Sequence, residues 1–182
     1  MIMTHPVNKY MLILLSALSL VACGDGGEPS HSEEKPVADS VMTLLKMKNN
    51  GQWYATIDCN VLSLDLYSDG LQFNEKGYIE GSGTNLYLSD VFVSLEDSLL
   101  TDGTYVLDTT NLEQTALPGI NLDGAVAGAY LLLIEDSHIK SIILIKDGFF
   151  AVTHTGDSLF IDFNLTTSDD QSYHASYVGN RE

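Results

Sequence analysis

Between residues 62 and 177 the apolar side chains recur at every second position, segment after segment, and that period limits what the chain can fold into. Leu62, Leu64 and Leu66 alternate with Ser63, Asp65 and Tyr67. Leu86 and Leu88 continue the pattern, and after Ser89-Asp90 the parity shifts to Val91, Val93 and Leu95, which predicts a bulge. Tyr105 and Leu107 repeat it, then Tyr130, Leu132 and Ile134, then Leu159, Ile161, Phe163 and Leu165, and finally Tyr173, Ala175 and Tyr177. Successive side chains of a strand point to opposite faces, whereas a helix needs apolar residues three and four apart. Turn residues punctuate the runs at Ser68-Asp69-Gly70, Thr101-Asp102-Gly103, Glu135-Asp136-Ser137, Asp147-Gly148, Thr155-Gly156-Asp157 and Ser168-Asp169-Asp170-Gln171. About eight to ten short strands with no helical run between them predict an all-β fold, an antiparallel β-sandwich or β-barrel.

The sheet-built part is expected to be a single domain over residues 40–182, with a lipocalin-like meander as one arrangement. Its first segment, Val41 to Lys48, reads preferentially as a strand, with Asn50-Gly51 as a hairpin turn into Trp53-Tyr54. A short helix capped by Asp39 or Ser40 is the other reading. Thr109 to Ala125 is longer than a usual hairpin loop and carries Pro118-Gly119 and Asp123-Gly124. A plain crossover is the preferred reading of it; the alternative is a lid built on Leu112, Leu117, Ile120 and Leu122.

Composition excludes one class of partner. The chain of 182 residues has 25 acidic against 8 basic side chains, a net charge of −17, with 45% hydrophobic residues. The apolar share is ample for a core. The charge opposes a nucleic-acid surface, which needs Lys and Arg to neutralise phosphates, so no nucleic-acid partner is expected.

The N-terminus carries the clearest address. Met11 to Ala22 is an apolar run too short to span a bilayer, which takes about 20 helical residues, but suited to a signal-peptide core. It meets Leu20-Val21-Ala22-Cys23-Gly24, which resembles the lipobox of bacterial lipoproteins. That resemblance implies cleavage before Cys23, a signal peptide over residues 1–22, and lipidation of Cys23 as the membrane anchor. Two or more acyl chains hold firmly, at ~0.8 kcal/mol per buried methylene. Cleavage removes Lys9 and no Asp or Glu, which takes the net charge from −17 to −18. Gly24 rather than Asp after the cysteine implies, by the family's rule, forwarding to the outer membrane. Gly24-Asp25-Gly26-Gly27-Glu28 resembles the export signals of surface lipoproteins in Bacteroidetes-type bacteria, which favours the cell surface over the periplasmic face. Residues 23–39, rich in Gly, Pro and acid, read as a flexible tether.

There are two cysteines, and a thioether at Cys23 leaves Cys59 without an intramolecular partner. Ile57, Cys59 and Val61 share one face of an alternation, so Cys59 is expected to be a small buried hydrophobe. A nucleophilic thiol needs a neighbouring His or cation, and none adjoins it.

The middle and C-terminal pattern resembles a segment shared by poorly characterised Bacteroidetes-type lipoproteins. It runs through Asn60 to Leu66, Leu86 to Phe92 and Leu100-Thr101-Asp102-Gly103-Thr104-Tyr105. Gly128-Ala129-Tyr130, Ile142 to Ile145, Gly148 to Val152, Asp157 to Leu165 and Ala175 to Gly179 complete it. An "L-x-L" strand, a long hairpin and a "G-T-Y" strand recur there in that order. The resemblance implies an all-β cell-envelope lipoprotein and no catalytic residue.

The search for chemistry is otherwise negative. Gly156-Asp157-Ser158-Leu159 spells a hydrolase signature, but the residues after Ser158 alternate as a strand, and Asp170 to His174 has the wrong spacing for the partnering acid and base. It reads as a hairpin turn. His138, His154 and His174 form no close pair of the kind that holds a metal, the Asp-Gly dipeptides form no calcium loop, and Gly81-Ser82-Gly83 lacks a third glycine and a following helix. No enzyme activity, cofactor or metal is expected. Two functions remain: a binding module for a small hydrophobic or glycan ligand, and a structural or accessory subunit of an envelope complex. The rings proposed for the first are Trp53, Tyr54, Phe149, Phe150, Tyr173 and Tyr177, because aromatic faces cover apolar ligands and sugars alike.

Overall fold

The structure is a computed structural model that describes residues 39–180; the expected signal peptide, Cys23 and most of the tether lie outside the described residues. The described residues form strands and no helix, so the fold is all-β. The strands are β1 (Ser40–Asn49), β2 (Asn60–Ser68), β3 (Leu71–Phe73), β4 (Ile79–Gly81), β5 (Gly83–Val93), β6 (Gly103–Leu107) and β7 (Thr115–Ala116). They continue with β8 (Ile120–Leu122), β9 (Ala125–Ala127), β10 (Ala129–Glu135), β11 (His138–Thr155), β12 (Ser158–Thr167) and β13 (Ser172–Asn180).

The main sheet closes on itself. Following hydrogen-bonded neighbours gives β1-β2-β5-β10-β11-β12-β13 and back to β1, a barrel-like ring. An odd ring of alternately directed strands must contain one parallel pair, and here it is β1 with β13, joined at Ser40↔Ala175, Val41↔Ser176 and Met42↔Tyr177. The remaining contacts around that ring are antiparallel. At the other end of β5 and β11, where β10 no longer reaches, β7 pairs with β5 and β6 with β11. Two strands there replace one, so they must run the same way, and β6 and β7 are parallel. The expected wholly antiparallel sheet is therefore corrected at two junctions.

The core sits inside the ring. Met42, Leu62, Leu64, Leu66, Leu86, Leu88 and Leu131 point inward from one wall, and Phe150, Ile161, Phe163, Leu165, Tyr173, Ala175 and Tyr177 from the other. Tyr105 stacks on Phe150 with ring centroids 4.9 Å apart, and Phe150 leans on Phe163 at 5.2 Å. Side chains fill the interior, as in small barrels generally.

Several expectations hold in the strands themselves. Residues 40–49 form a strand rather than a helix. The β2–β5 register slips across Ser89-Asp90, where Leu62 faces Val91 but Leu64 faces Leu88, as the parity shift predicted. Thr155 pairs with Ser158 across Gly156-Asp157, so the hydrolase-like tetrapeptide is a hairpin turn.

Others are corrected. Asn50-Gly51 does not turn the chain into a strand at Trp53-Tyr54; β2 starts only at Asn60. The intervening loop instead folds onto the outside of the barrel, where Tyr54, Ile57 and Cys59 pack on Val61 and Phe92. Asp147-Gly148 is not a turn but a bulge inside the continuous strand β11, since Ile145 faces Thr167 while Asp147 faces Thr166. Gly148 has φ +128°, and a Cβ there would lie 2.3 Å from the Asn164 carbonyl oxygen, which explains the glycine without a reversal. In β10 the barrel face is Ala129 and Leu131, while Tyr130 and Leu132 point outward. Residues 109–125 hold short strands β7 and β8 rather than a free loop, and Leu112, Ile120 and Leu122 are exposed, so they close no barrel end as a lid.

Candidate functional site

The outer surface of β1, β2, β5 and β10 differs from the rest of the barrel in chemistry. Cross-strand register aligns Lys46, Asp65, Tyr87 and Tyr130 in one row. Leu44, Tyr67, Asn85 and Leu132 form the next row, and Lys48 stands opposite Ser63 on the other side. Side chains facing out at this register are close enough to act together. Tyr87 and Tyr130 lie with ring centroids 5.2 Å apart and tilted by 39°.

Two segments fold down onto this face and bound it as a trough. At one end is the loop between β1 and β2. Trp53 is 70% exposed, and Tyr54 tucks against Phe92 with ring centroids 6.2 Å apart. At the other end the β3–β4 hairpin brings Phe73 edge-on to Tyr67 at 4.9 Å. Lys46 Nζ sits 3.1 Å from the Phe73 ring centroid and 5.8 Å from that of Tyr67. Beside this loop lies a cavity of about 310 Å³ lined by Lys48, Asn50, Trp53, Tyr54, Val61, Ser89, Asp90 and Ala127.

The polar floor is rigidly wired. Tyr54 Oη donates to Asp90 Oδ1 at 2.7 Å, and the Ser89 hydroxyl donates to Asp90 Oδ2. Asn50 Nδ2 donates to Ser63 Oγ at 2.8 Å, and Ser63 Oγ donates to the Ser89 carbonyl at 2.9 Å. Asp65 is held likewise, by Tyr67 Oη at 2.5 Å and by Asn85 Nδ2 at 2.6 Å. Burial pushes the Tyr54 phenol up to about 12, helped by the Asp90 carboxylate it donates to. Burial likewise raises Tyr67, with Asp65 adding to it, and raises Tyr130, with Tyr87 and Asp65 adding. All three phenols are neutral donors at pH 7.

The sequence-proposed rings are not gathered at one place. Trp53 and Tyr54 belong to the trough loop and line one cavity. Phe150, Tyr173 and Tyr177 are buried in the barrel core, while Phe149, next to Phe150 on the opposite face, is 43% exposed. Tyr87, Tyr130, Asp65, Asn85, Lys46 and Lys48 were missed. Their only signal is that polar and aromatic residues hold the non-core parity of neighbouring strands, and recognising a site in that requires the register.

Other concave regions lie elsewhere, two of them larger at about 490 Å³: one along β1, β12 and β13 with Asp162, Asn164 and His174 in its lining, and one between the loop at Thr56 to Cys59 and Thr110 to Glu113. A cavity of about 280 Å³ opens where β1 and β13 part beyond Met42 and Tyr177; Thr43, Leu45, Met47, Leu100, His154 and Tyr177 are among its lining. At its rim Asp102 Oδ1 meets His154 Nδ1 at 2.6 Å and accepts the His154 backbone N–H at 2.8 Å. His174 Nδ1 lies 2.9 Å from Asn164 Oδ1, and His138 Nδ1 lies 2.6 Å from the Asp136 carbonyl oxygen. Among the described residues no three His, Cys, Asp or Glu side chains gather as a metal-binding group. Cys59 is buried, and its thiol is raised above the ordinary value by burial, then by Glu113 and Asp58.

Comparison of the chain with protein-family models, with curated proteins and with solved structures finds no match.

Proposed function

We propose that this chain is a lipid-anchored, non-enzymatic binding module of the bacterial cell envelope. Cys23 fixes it to the outer membrane, with the surface favoured, and the trough beside Trp53 takes a glycan. One observation carries the ligand class: an exposed indole lines a cavity together with Asn50, Tyr54, Ser89 and Asp90, polar side chains tied to one another and to Ser63 by hydrogen bonds. A sugar ring offers an apolar face and a rim of hydroxyls, and such a site matches both. A small hydrophobic ligand is less well served, because side chains fill the barrel interior.

The test is a titration of the fluorescence of Trp53, the single tryptophan, with a panel of neutral and acidic oligosaccharides. Saturable change with at least one saccharide, lost in Asp90→Ala, supports the module. No response across the panel overturns it. For the anchor, Cys23→Ser should move the protein from the membrane to the soluble fraction and abolish incorporation of labelled palmitate.

One feature favours the second reading, an accessory subunit. Val106 and Phe149 are cross-strand partners on the outside of β6 and β11 and are exposed at 45% and 43%. Paired exposed apolar side chains are what a protein contact would cover. Co-purification of a stoichiometric envelope protein, lost in Phe149→Ser, would support that reading.

A further inference from the structure

Resting on the saccharide reading of the trough, we infer that its ligand carries one carboxylate, as a uronic acid or similar acidic sugar unit does. Lys48 holds that group, and Trp53 covers the sugar ring.

The lysines are distributed unevenly. Among the described residues the basic side chains are Lys46, Lys48, Lys76, Lys140 and Lys146. Lys140 pairs with Glu135 at 3.3 Å and Lys146 pairs with Asp170, both away from the trough. Like Lys76 on the β3–β4 turn, Lys46 and Lys48 form no ion pair with a carboxylate of the described residues. They stand two residues apart on β1, facing the trough opposite Asp65 and Ser63. Lys48 lines the same cavity as Trp53.

The two carboxylates of the trough are already committed. Asp65 accepts at Oδ1 from Asn85 and at Oδ2 from Tyr67. Asp90 accepts at Oδ1 from Tyr54 and at Oδ2 from Ser89. Internal donors orient both carboxylates, and neither pairs with the Lys46 or Lys48 ammonium group. The Phe73 ring steers Lys46 without neutralising it, because a cation over an aromatic face keeps its full charge. Lys48 is thus the cation that shares the cavity with the indole, while Lys46 is drawn to Phe73 at the far end of the trough, and one cation beside an indole fits a singly acidic sugar.

The ligand is limited to one such charge by the rest of the molecule. A long polyanion would run along a chain whose full sequence carries a net charge of −17, and the repulsion would accumulate along its length. A single carboxylate at Lys48 feels chiefly the charges within a screening length of about 8 Å at physiological salt, where Lys48 attracts it and Asp90, held by Tyr54 and Ser89 in the same cavity, opposes a second one. Charge selects a terminal or isolated acidic unit.

The experiment titrates Trp53 fluorescence with uronic-acid trisaccharides of galacto, gluco and manno configuration, with their methyl esters, and with a sulfated disaccharide. The free acid of at least one trisaccharide is expected to bind about fivefold tighter than its ester at physiological salt, an advantage that grows at low salt. Lys48→Gln should bring the acid down to the affinity of the ester, and Lys48→Arg should keep the difference. Equal binding of acid and ester, an equal loss of both in Lys48→Gln, or a preference for the sulfated sugar overturns the carboxylate while leaving the saccharide module standing. Failure of every sugar in this set to bind overturns the inference, and the module falls with it only if the wider panel of neutral and acidic oligosaccharides is silent as well.

Discussion

The ring of Tyr177 lies in the space a side chain on residue 179 would need: a Cβ on Gly179 would sit 1.9 Å from the Tyr177 hydroxyl oxygen and 2.4 Å from Cζ. The glycine is there for room, and the tyrosine uses it to cover the cleft where β1 and β13 part. Gly179→Ala should destabilise the protein by about 1–3 kcal/mol, as overpacking does. Urea unfolding measures it. In a Tyr177→Leu background the added methyl should cost less than in the wild type, so the two changes will not add.

Phe149 and Phe150 are adjacent in sequence and opposite in fate. Phe150 is 0% exposed, between Tyr105 and Phe163, and Phe150→Ala should cost about 3–5 kcal/mol through the cavity it leaves. Phe149→Ala should stay within about 0.5 kcal/mol, as surface changes do. Urea midpoints for the pair check the inside-outside assignment of β11. Equal losses would contradict it.

Cys59 should resist thiol reagents. Its side chain is buried under the β1–β2 loop, and burial with two nearby carboxylates lowers the thiolate fraction that reacts. Labelling of the native protein should be slow and should become fast in denaturant. Fast labelling under native conditions would show that the loop opens readily, and would question the fixed trough floor as well.

Stability should fall in alkali. Tyr54 and Tyr173 each have a phenol pushed up to about 12, in both cases chiefly by burial, against an ordinary value near 10. Above pH 10 the unfolded chain gives up these protons while the folded chain keeps them, which favours unfolding. The contribution is therefore full below about pH 10 and is lost as the pH climbs towards 12. Urea midpoints from neutral pH to about pH 11.5 should trace that decline, and Tyr173→Phe should flatten part of it.

Legibility from sequence followed local rules and stopped where register began. Leu159 to Leu165 and Tyr173 to Tyr177 alternate cleanly, and both face the barrel interior as alternation required. The Ser89-Asp90 bulge was readable because an extra residue flips parity. Asp147-Gly148 was misread because a bulge that presses backbone against backbone and a tight turn ask for the same residue. Leu132 misled because it is apolar yet faces outward, where the β3–β4 hairpin covers it with Phe73 and Ile79. The trough was half visible: Trp53 and Tyr54 stood out as rings, but Lys46, Asp65, Tyr87 and Tyr130 become one row only when four strands are aligned. Phe150, Tyr173 and Tyr177 were proposed for a ligand because an aromatic needed by a core and one offered to a ligand look alike in sequence.

The parallel pairing of β1 with β13 sets an order of events. The first strand of the barrel can take its second neighbour only after the last has been made and delivered, since Ser40 waits for Ala175. Bringing such distant segments together is the slow part of β-folding. Until then β1 and β12 each carry an open edge, and the folding chain must keep both from pairing with strangers. A barrel closed by its first and last strands is finished all at once, by the nine residues of β13.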